Sequence, residues 1–171
     1  MAAYTTIDDA GAFFNTILYT GTGSSLALTG VGFQPDFTWV KNRTATDFHV
    51  LTDAVRGATK YLKSNETTIE TTDTESLKSF DSDGFTVGTQ AQLNTNTETY
   101  VAWNWKAGTT TGLATNGSTT ITPSSYSFNQ TSGISILKYT GNTSAGAKVA
   151  HGLGAAPKMV IVKNLDDTDD W

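Results

Sequence analysis

The chain repeats its own sequence, and this repeat constrains the fold more than any other feature. Residues 32–42 match residues 154–164, and each segment ends in an apolar run followed by a Lys-Asn pair. Three shorter matches precede this one in the same order, pairing residues 5–7 with 119–121, 14–15 with 128–129, and 17–21 with 136–141. Matches that keep their order along the chain indicate that one structural unit is encoded twice.

The two copies differ in length, which predicts one complete module and one incomplete module. We place the first β-sandwich module at residues 1–108, with residues 1–18 as a lead-in strand segment, and the incomplete second copy at residues 118–171. Residues 109–117, rich in Gly and Thr and without an apolar period, are predicted to form an exposed linker. The second copy lacks counterparts of residues 50–106. Either the chain is a fragment of a longer protein, which we favour, or something else completes the second copy.

Alternation of large apolar residues with polar or small ones predicts the strands. Residues 100–106 alternate strictly and therefore divide into two faces. One face carries Tyr100, Ala102, Asn104 and Lys106, and the other carries Val101, Trp103 and Trp105. We expect the face with the two tryptophans to lie in the core. Residues 158–163 form a continuous apolar run between two lysines, which predicts a central strand covered on both faces.

Further short strands with turn residues between them predict the fold class. The predicted strands span residues 12–20, 25–28, 37–41, 48–52, 61–64 and 85–88. The Asp83-Gly84 pair between two apolar runs predicts a hairpin. Residues 66–78 are rich in Thr and are predicted to form a polar loop or strand edge with one helical turn at most. The even spacing of these strands predicts an all-β, antiparallel β-sandwich of a lectin-like or jelly-roll-like kind.

Charge and composition exclude several classes of function. The net charge of −5 argues against a nucleic-acid partner, which requires a basic face. The sequence has no run of 18 apolar residues, so we expect no membrane insertion. The start of the chain does not resemble a secretory signal, and the chain contains no Cys. Both features fit synthesis in the cytoplasm, and the lack of Cys removes thiol catalysis and thiolate metal sites.

The polar motifs of the sequence predict structural roles, so we expect no catalytic residue, no metal and no cofactor. His49 lies in a predicted strand and is expected to pack or to form a hydrogen bond, and His151 lies in a Gly-rich turn. Residues 81–84 (Asp-Ser-Asp-Gly) lack the later Glu of a calcium loop and are expected to form a turn. The same reasoning assigns structural roles to the acidic residues 166–170, the carboxylates Glu66 and Glu70, the turn residues Gly21, Gly23, Gly152 and Gly154, and the glycosylation-like triplets 42–44 and 65–67.

Four tryptophans leave a second interpretation open. Trp39, Trp103 and Trp105 could form a platform for sugar rings, because aromatic faces stack on the apolar faces of sugars. All three fall in strong strand patterns, so packing in the core is the favoured interpretation. Trp171 is the last residue of the sequence, and its surroundings are not predicted. The residues of any ligand-binding site therefore stay unassigned from the sequence.

Several phrases taken together resemble a repeated module of tailed phages, frequent in marine viruses. They are YTG at residues 19–21, GVGFQPDFTWVKNR at 30–43, VRG at 55–57, SFDSDGFTVG at 79–88 and YVAWNWKAG at 100–108. Proteins with this module are described as tail fibre or virion structural proteins. The resemblance implies a lectin-like β-sandwich placed on the virion, and it supplies no catalytic residues.

We therefore expect a non-enzymatic virion structural protein, in a tail fibre or appendage that contacts host-surface glycans. The alternative is a capsid or tail decoration protein that binds only other virion proteins, and a tail-spike glycan depolymerase is the third candidate. Expected partners are other virion proteins and host-surface polysaccharide, and virion appendages are commonly homo-oligomers, often trimers. The expected location is the virion, on the tail or the particle surface.

Overall fold

The computed structural model describes residues 7–171, and β-strands are almost its only regular structure. Two short helical turns, Ala10–Ala12 and α1 (Ala91–Asn94), are the helices among these residues. The sequence did not predict α1. Residues 1–6 lie outside the described part of the chain. They include the start of the predicted lead-in segment (residues 1–18) and two of the three residues of the first repeat match (residues 5–7).

The described strands form three antiparallel sheets. The largest has the order β1-β9-β3-β4-β5-β6, formed by β1 (Phe14–Thr20), β9 (Thr99–Trp105), β3 (Phe37–Asn42), β4 (Val50–Asp53), β5 (Lys60–Lys63) and β6 (Thr71–Thr72). The second has the order β2-β8-β7, formed by β2 (Leu26–Leu28), β8 (Gly84–Val87) and β7 (Leu77–Asp81). A separate hairpin pairs β10 (Ser125–Asn129) with β11 (Ile134–Lys138). The predicted all-β, antiparallel, sandwich-like fold is confirmed.

The main core lies where the inner face of the six-stranded sheet meets the three-stranded sheet. Val40, Val50 and Ala102 come from the large sheet, and Leu77 and Phe85 come from the small one, all of them buried. Each residue on this face alternates with one on the outer face, as a pleated strand requires. Burial of these apolar side chains is the main stabilising contribution to this part of the fold.

The two faces of β9 are inverted relative to the sequence prediction. Tyr100, Ala102 and Asn104 are fully buried, whereas Trp103 and Trp105 are only partly buried. The predicted alternation is correct, but the prediction that the tryptophan face forms the core is wrong. Ala102 is small and Asn104 is polar, so composition favoured the wrong face. The three-stranded sheet packs on this face, and it leaves the tryptophans on the outside.

Three of the buried polar side chains on the inner face are satisfied by one another and by the backbone. Thr38 Oγ1 donates to Asn104 Oδ1 at 3.1 Å, and Asn104 Nδ2 donates to the Ala102 carbonyl at 3.2 Å. The Tyr100 hydroxyl donates to the Ala91 carbonyl at 2.8 Å and so ties β9 to α1. Because a buried polar group without a partner is costly, these bonds allow polar residues in a core position.

The predicted hairpin at Asp83-Gly84 joins β7 to β8. Asp81 pairs with Gly84, so the turn is tight. A Cβ on Gly84 would stand 2.0 Å from the Leu28 carbonyl oxygen, which explains the glycine. The carboxylate of Asp83 accepts the backbone N–H groups of Gly30 and Gly32, and these bonds lower its pKa. The turn therefore also holds the loop that follows β2.

Residues 158–163 do not form the predicted central strand. They pair with no described strand, and Met159 is 75% exposed. The strand prediction rested on a local apolar pattern, but a sheet strand also needs neighbours to bond its backbone. The residues corresponding to the neighbours of β3 follow it in the first copy and have no counterpart in the second. Residues 66–78 form the predicted polar edge only in part. They include the two-residue strand β6, but residues 77–78 begin β7, and the Leu77 side chain is fully buried in the core.

Asp36, just before β3, links the first copy to the hairpin of the second. Its buried carboxylate accepts the Ser127 hydroxyl at 3.0 Å and the Ala107 N–H at 2.9 Å. Thr109 and Phe128 add a pair of backbone hydrogen bonds beside it. Thr109, the first residue of the predicted linker, is thus paired in the structure. The bonds to Asp36 strengthen this link, because hydrogen bonds to a charged acceptor are stronger than neutral ones.

The assignment of the core face predicts an unequal response of two aromatic residues. Tyr100→Ala should lower the free energy of unfolding by about 3–5 kcal/mol, because it removes a fully buried ring. Trp103→Ala should cost about half as much, because that side chain is only partly buried. Urea denaturation followed by circular dichroism measures both values. A larger loss for Trp103→Ala would contradict the assignment.

Removal of the Asp36 carboxylate should loosen the second-copy hairpin. We expect Asp36→Ala to lower the free energy of unfolding by about 2–3 kcal/mol, because it leaves the Ala107 N–H and the Ser127 hydroxyl unpaired. Amide hydrogen exchange should accelerate at Phe128 more than at Val40. Ser124→Ala, at an exposed hydroxyl on the same hairpin, is the control. Unchanged exchange in Asp36→Ala would show that the link is not stabilising.

Candidate functional site

The outer face of the six-stranded sheet gathers aromatic residues from three adjacent strands. Phe14 of β1, Trp105 of β9 and Phe37 of β3 stand side by side in the strand register. In the next row Trp103 of β9 stands beside Trp39 of β3. We call these five residues the aromatic face. Strand pairing alone aligns them, because side chains at paired positions project from the same side of a sheet.

The rings of the aromatic face contact one another. The Trp105 ring lies 4.9 Å from that of Phe14 and 5.2 Å from that of Phe37, between ring centroids. The rings of Trp39 and Trp103 meet edge to face at 6.3 Å, with 79° between their planes. These are favourable aromatic geometries. The rings therefore support one another in fixed orientations without being enclosed by a second layer.

The aromatic face is accessible to solvent. Phe14 is 39% exposed, and Leu18, two rows along the same strand, is 64% exposed. Trp39, Trp103 and Trp105 are each partly exposed. The favoured sequence interpretation, that these three tryptophans fill the core, is therefore wrong. The alternative geometry, a set of rings on one open sheet face, is the one that the structure contains.

One border of the aromatic face is formed by a buried ion cluster. Arg56 pairs with Asp53 at 2.5 Å and with Glu70 at 3.5 Å, and it donates to the Leu51 carbonyl. The Arg56 and Asp53 side chains are 6% and 7% exposed. Asp53 is paired in register with Phe37, at the edge of the aromatic face. Loss of one member of a buried ion cluster is expected to destabilise this border strongly.

Hydroxyl groups lie along the opposite border, near the free edge of β1. Thr16 stands beside Trp103 in register, and Thr20 stands beside Thr99. The amine of Lys41, a β3 residue, donates to the carbonyls of Asn42 and Ala45 in the loop that follows. The β1 border of the aromatic face is therefore neutral, with threonine side chains as its polar groups.

His49 is a hydrogen-bond partner of the aromatic face. Its Nδ1 accepts the indole N–H of Trp39 at 2.9 Å, and the two rings meet edge to face. A ring nitrogen that accepts is unprotonated, so this bond requires neutral imidazole with its proton on Nε2. Burial and, secondly, the charge of Lys41 lower the pKa of His49 and favour that form. His49 thereby fixes the orientation of the Trp39 ring.

The remaining polar candidates are dispersed over the molecule. His151 Nδ1 accepts the N–H of Leu153 within its own turn. Glu66 pairs with Lys63, and Glu70 belongs to the ion cluster. Asn42 of the first glycosylation-like triplet is buried. The other triplet begins at Asn65, which accepts the His49 N–H.

Other predicted turn and terminal residues also have structural partners. Gly21 donates its N–H to the Glu98 carbonyl, and Gly152 accepts from the Gln130 side chain. Gly23 and Gly154 adopt the positive φ angles of turns. The surroundings of Trp171 were not predicted from the sequence. Its indole N–H donates to the carbonyls of Lys63 and Glu66, and Trp171 is not one of the five residues of the aromatic face.

Among the described residues 7–171, no three side chains of His, Asp or Glu converge in a way that could hold a metal ion. No helix in this part of the chain has the length and apolar character needed to cross a bilayer.

The hydrogen bond between Trp39 and His49 predicts a pH response. In the folded state the pKa of His49 lies below its ordinary value of 6.5. As the pH falls below that value the unfolded chain binds the proton first, so the free energy of unfolding should decrease. Protonation also turns Nδ1 into a donor, which breaks the bond to Trp39.

Nuclear magnetic resonance tests this response directly. The His49 ring signals and the Trp39 indole N–H signal should titrate together, with a midpoint below 6.5. The Trp171 indole N–H, bonded to carbonyls, is the internal control and should not follow that midpoint. A His49 midpoint above the ordinary value, or a Trp39 signal that ignores it, would contradict the assigned bond.

Comparison with known proteins identifies a family but no characterised relative. Residues 9–171 match the family model of a domain of unknown function, DUF7483. No curated protein and no solved structure matches the chain. The matched residues run through the first copy and through the second. Because the match covers nearly the whole chain, this protein belongs to the DUF7483 family.

Proposed function

We propose that this protein is a non-enzymatic virion structural protein of a tailed phage, in a tail fibre or appendage, and that its aromatic face binds host-surface glycan. The observation that carries the binding role is the set of solvent-accessible indole rings on an open sheet face. Placement on the virion is supported by the sequence phrases that resemble tail-fibre modules. The aromatic face supplies the contact surface that such a placement requires.

The chemistry of the aromatic face suits a neutral sugar chain. The C–H groups on one side of a pyranose ring pack on an aromatic ring, and its hydroxyls bond to polar groups at the rim. Trp103 has Thr16 beside it, so a stacked sugar would meet both kinds of group. The chain has a net charge of −5, which disfavours polyanionic glycans. We therefore expect neutral oligosaccharides to bind better than sulfated or carboxylated ones.

Weak single contacts are sufficient for attachment. An open face encloses little of its ligand, so one module should bind with a dissociation constant in the range of about 0.1–1 mM, or roughly −5 kcal/mol. Several copies on one particle raise the effective affinity by about 100-fold or more. A homo-oligomer, for example a trimer, would supply those copies.

A capsid or tail decoration protein is the second candidate, and one observation favours it. Leu18 and Phe14 are exposed apolar side chains on β1, an outer strand of the large sheet. Such a surface also suits another virion protein. Immunogold labelling of particles separates the candidates, because decoration predicts regular labelling of the capsid or tube and adhesion predicts label at a tail tip.

The third candidate, a tail-spike depolymerase, gains no support from the carboxylates singled out in the sequence. Glu66 and Glu70 are each ion-paired with a basic side chain. Glycoside hydrolysis requires two carboxyl groups on either side of the scissile bond. We therefore do not propose this activity.

Glycan binding is tested with a panel of neutral and acidic oligosaccharides. Titration of a binding neutral oligosaccharide should change the tryptophan emission, and isothermal calorimetry should give a saturable one-site curve. Trp103→Ala should weaken binding about five- to thirtyfold, because a stacking contact contributes about 1–2 kcal/mol.

The matched control is Trp171→Ala, which removes an indole outside the aromatic face. It should leave the affinity within about twofold of the original. Circular dichroism establishes that both variants are folded. An equal loss of oligosaccharide affinity in the two variants, or no binding to any member of the panel, would overturn the proposal that the aromatic face binds glycan.

A further inference from the structure

The second copy contains an exposed apolar segment, defined here as residues 158–163. The exposed fractions of Met159, Val160, Ile161 and Val162 are 75%, 70%, 54% and 52%. Four consecutive large apolar side chains in water are unfavourable, and an apolar stretch of this kind commonly marks a contact surface. No described strand bonds to the backbone of this segment. Among residues 7–171, the backbone of the segment therefore has no hydrogen-bond partner, and its four apolar side chains are at least half exposed.

The segment corresponds to β3 of the first copy by sequence and by the loop that follows it. In the first copy, Lys41 donates to the carbonyls of Asn42 and Ala45. In the second copy, Lys163 donates to the carbonyls of Asn164 and Asp167, at the same spacings. The loop after the segment is thus built like the loop after β3.

A second set of bonds fixes the same correspondence. The Asn42 amide donates to Asp47 at 2.6 Å, and the Asn164 amide donates to Asp169 at 2.7 Å. The side-chain oxygen of each asparagine accepts a backbone N–H two residues later. The acidic residues 166–170 are therefore part of a repeated loop. Val162 corresponds to Val40, and Asn164 corresponds to Asn42.

We propose that the segment 158–163 docks one separate antiparallel strand of the β9 type. In the first copy β9 is the neighbour of β3, with Val40 opposite Ala102 and Asn42 opposite Tyr100. Strand addition to an unpaired segment bonds the free backbone groups and buries alternate side chains. This inference does not depend on glycan binding, because the segment lies outside the aromatic face.

The register of β3 and β9 defines the chemistry of the partner strand. The residue opposite Val162 should be small and apolar, like Ala102, and the residue opposite Asn164 should be an aromatic with a hydroxyl, like Tyr100. The partner residue opposite Val160, which corresponds to Asn104 of β9, should differ from its β9 counterpart. Thr38 donates to Asn104 in the first copy, but Val160 replaces Thr38 in the second and has no hydroxyl. The partner should therefore carry an apolar residue opposite Val160.

A second copy of this chain is a poor source of that strand. Its β9 lies between β1 and β3 and is bonded on both edges. Releasing it would break the centre of the six-stranded sheet. The partner is accordingly a strand of the stated pattern rather than the β9 of another copy.

The chain is bonded to other parts of the structure on both sides of the segment. Seven residues before it, the Ser135 hydroxyl donates to the His151 carbonyl at 2.6 Å. Two residues after it, the Glu70 N–H donates to the Leu165 carbonyl at 3.0 Å. Bonds that flank a segment reduce the conformational entropy that it loses when a strand pairs with it. This preorganisation favours docking.

The probe for the test is a synthetic peptide with the sequence of residues 98–106, the substitution Asn104→Val and a soluble polylysine tail. Fluorescence anisotropy of the labelled peptide with the full chain should give saturable one-to-one binding. Amide hydrogen exchange should slow at residues 159–162. The peptide that retains Asn104 should bind about tenfold more weakly, because its side-chain oxygen would be buried opposite valine without the hydroxyl that Thr38 supplies in the first copy.

Two variants of the chain distinguish the docked face from general hydrophobic adsorption. Val162→Glu places a charge on the inward side of the paired strand and should abolish peptide binding. Met159→Glu, on the opposite side, is the matched control and should retain binding within about threefold. Equal loss in both variants, equal binding of a peptide with scrambled order, or no slowing of exchange would overturn the proposal. Self-association that excludes the peptide would overturn it in favour of a second copy.

Discussion

The pairing of β9 with β1 on one edge and β3 on the other is the constraint on which the rest of the structure depends. It places Ala102 beside Val40 on the inner face and Trp103 beside Trp39 on the outer face. The three-stranded sheet covers only the inner face. A single strand register therefore determines both the composition of the core and the existence of the aromatic face. Small and polar residues are tolerated inside because Asn104 finds partners on neighbouring strands.

In the aromatic face, large rings are held in fixed orientations without a second layer of structure covering them. Ring-to-ring contacts, the bond from Trp39 to His49 and the ion cluster around Arg56 fix its geometry. A preorganised surface loses little entropy on binding, which suits a shallow contact with a repetitive ligand. The proposed glycan-binding role uses these properties, and the second-copy segment offers a different kind of surface, a backbone without neighbours. The proposed adhesion and the proposed strand docking therefore involve separate parts of one chain.

Much of the architecture was predictable from local patterns. Alternation located β1, β3, β8 and β9, and the Asp83-Gly84 pair located a hairpin, because strand period and turn chemistry are properties of neighbouring residues. The candidate site was only half predictable. The sequence named Trp39, Trp103 and Trp105 as a group, but it favoured the core for them. The contact of Trp105 with Phe14 joins distant parts of the chain, and the hydrogen bond from Trp39 to His49 depends on the turn between them. Neither had a sequence signal.

The sequence by itself determined that this chain is a β-protein with a repeated unit and that β9 has two chemically distinct faces. Tertiary structure alone decided which face is buried, because burial depends on where the three-stranded sheet packs rather than on the hydrophobicity of either face. It likewise decided that residues 37–42 are a central strand while the matching residues 159–164 are not. The two segments share a pattern, but a strand exists only where neighbouring strands complete its hydrogen bonds. Among residues 7–171, such neighbours pair with the segment of the first copy alone.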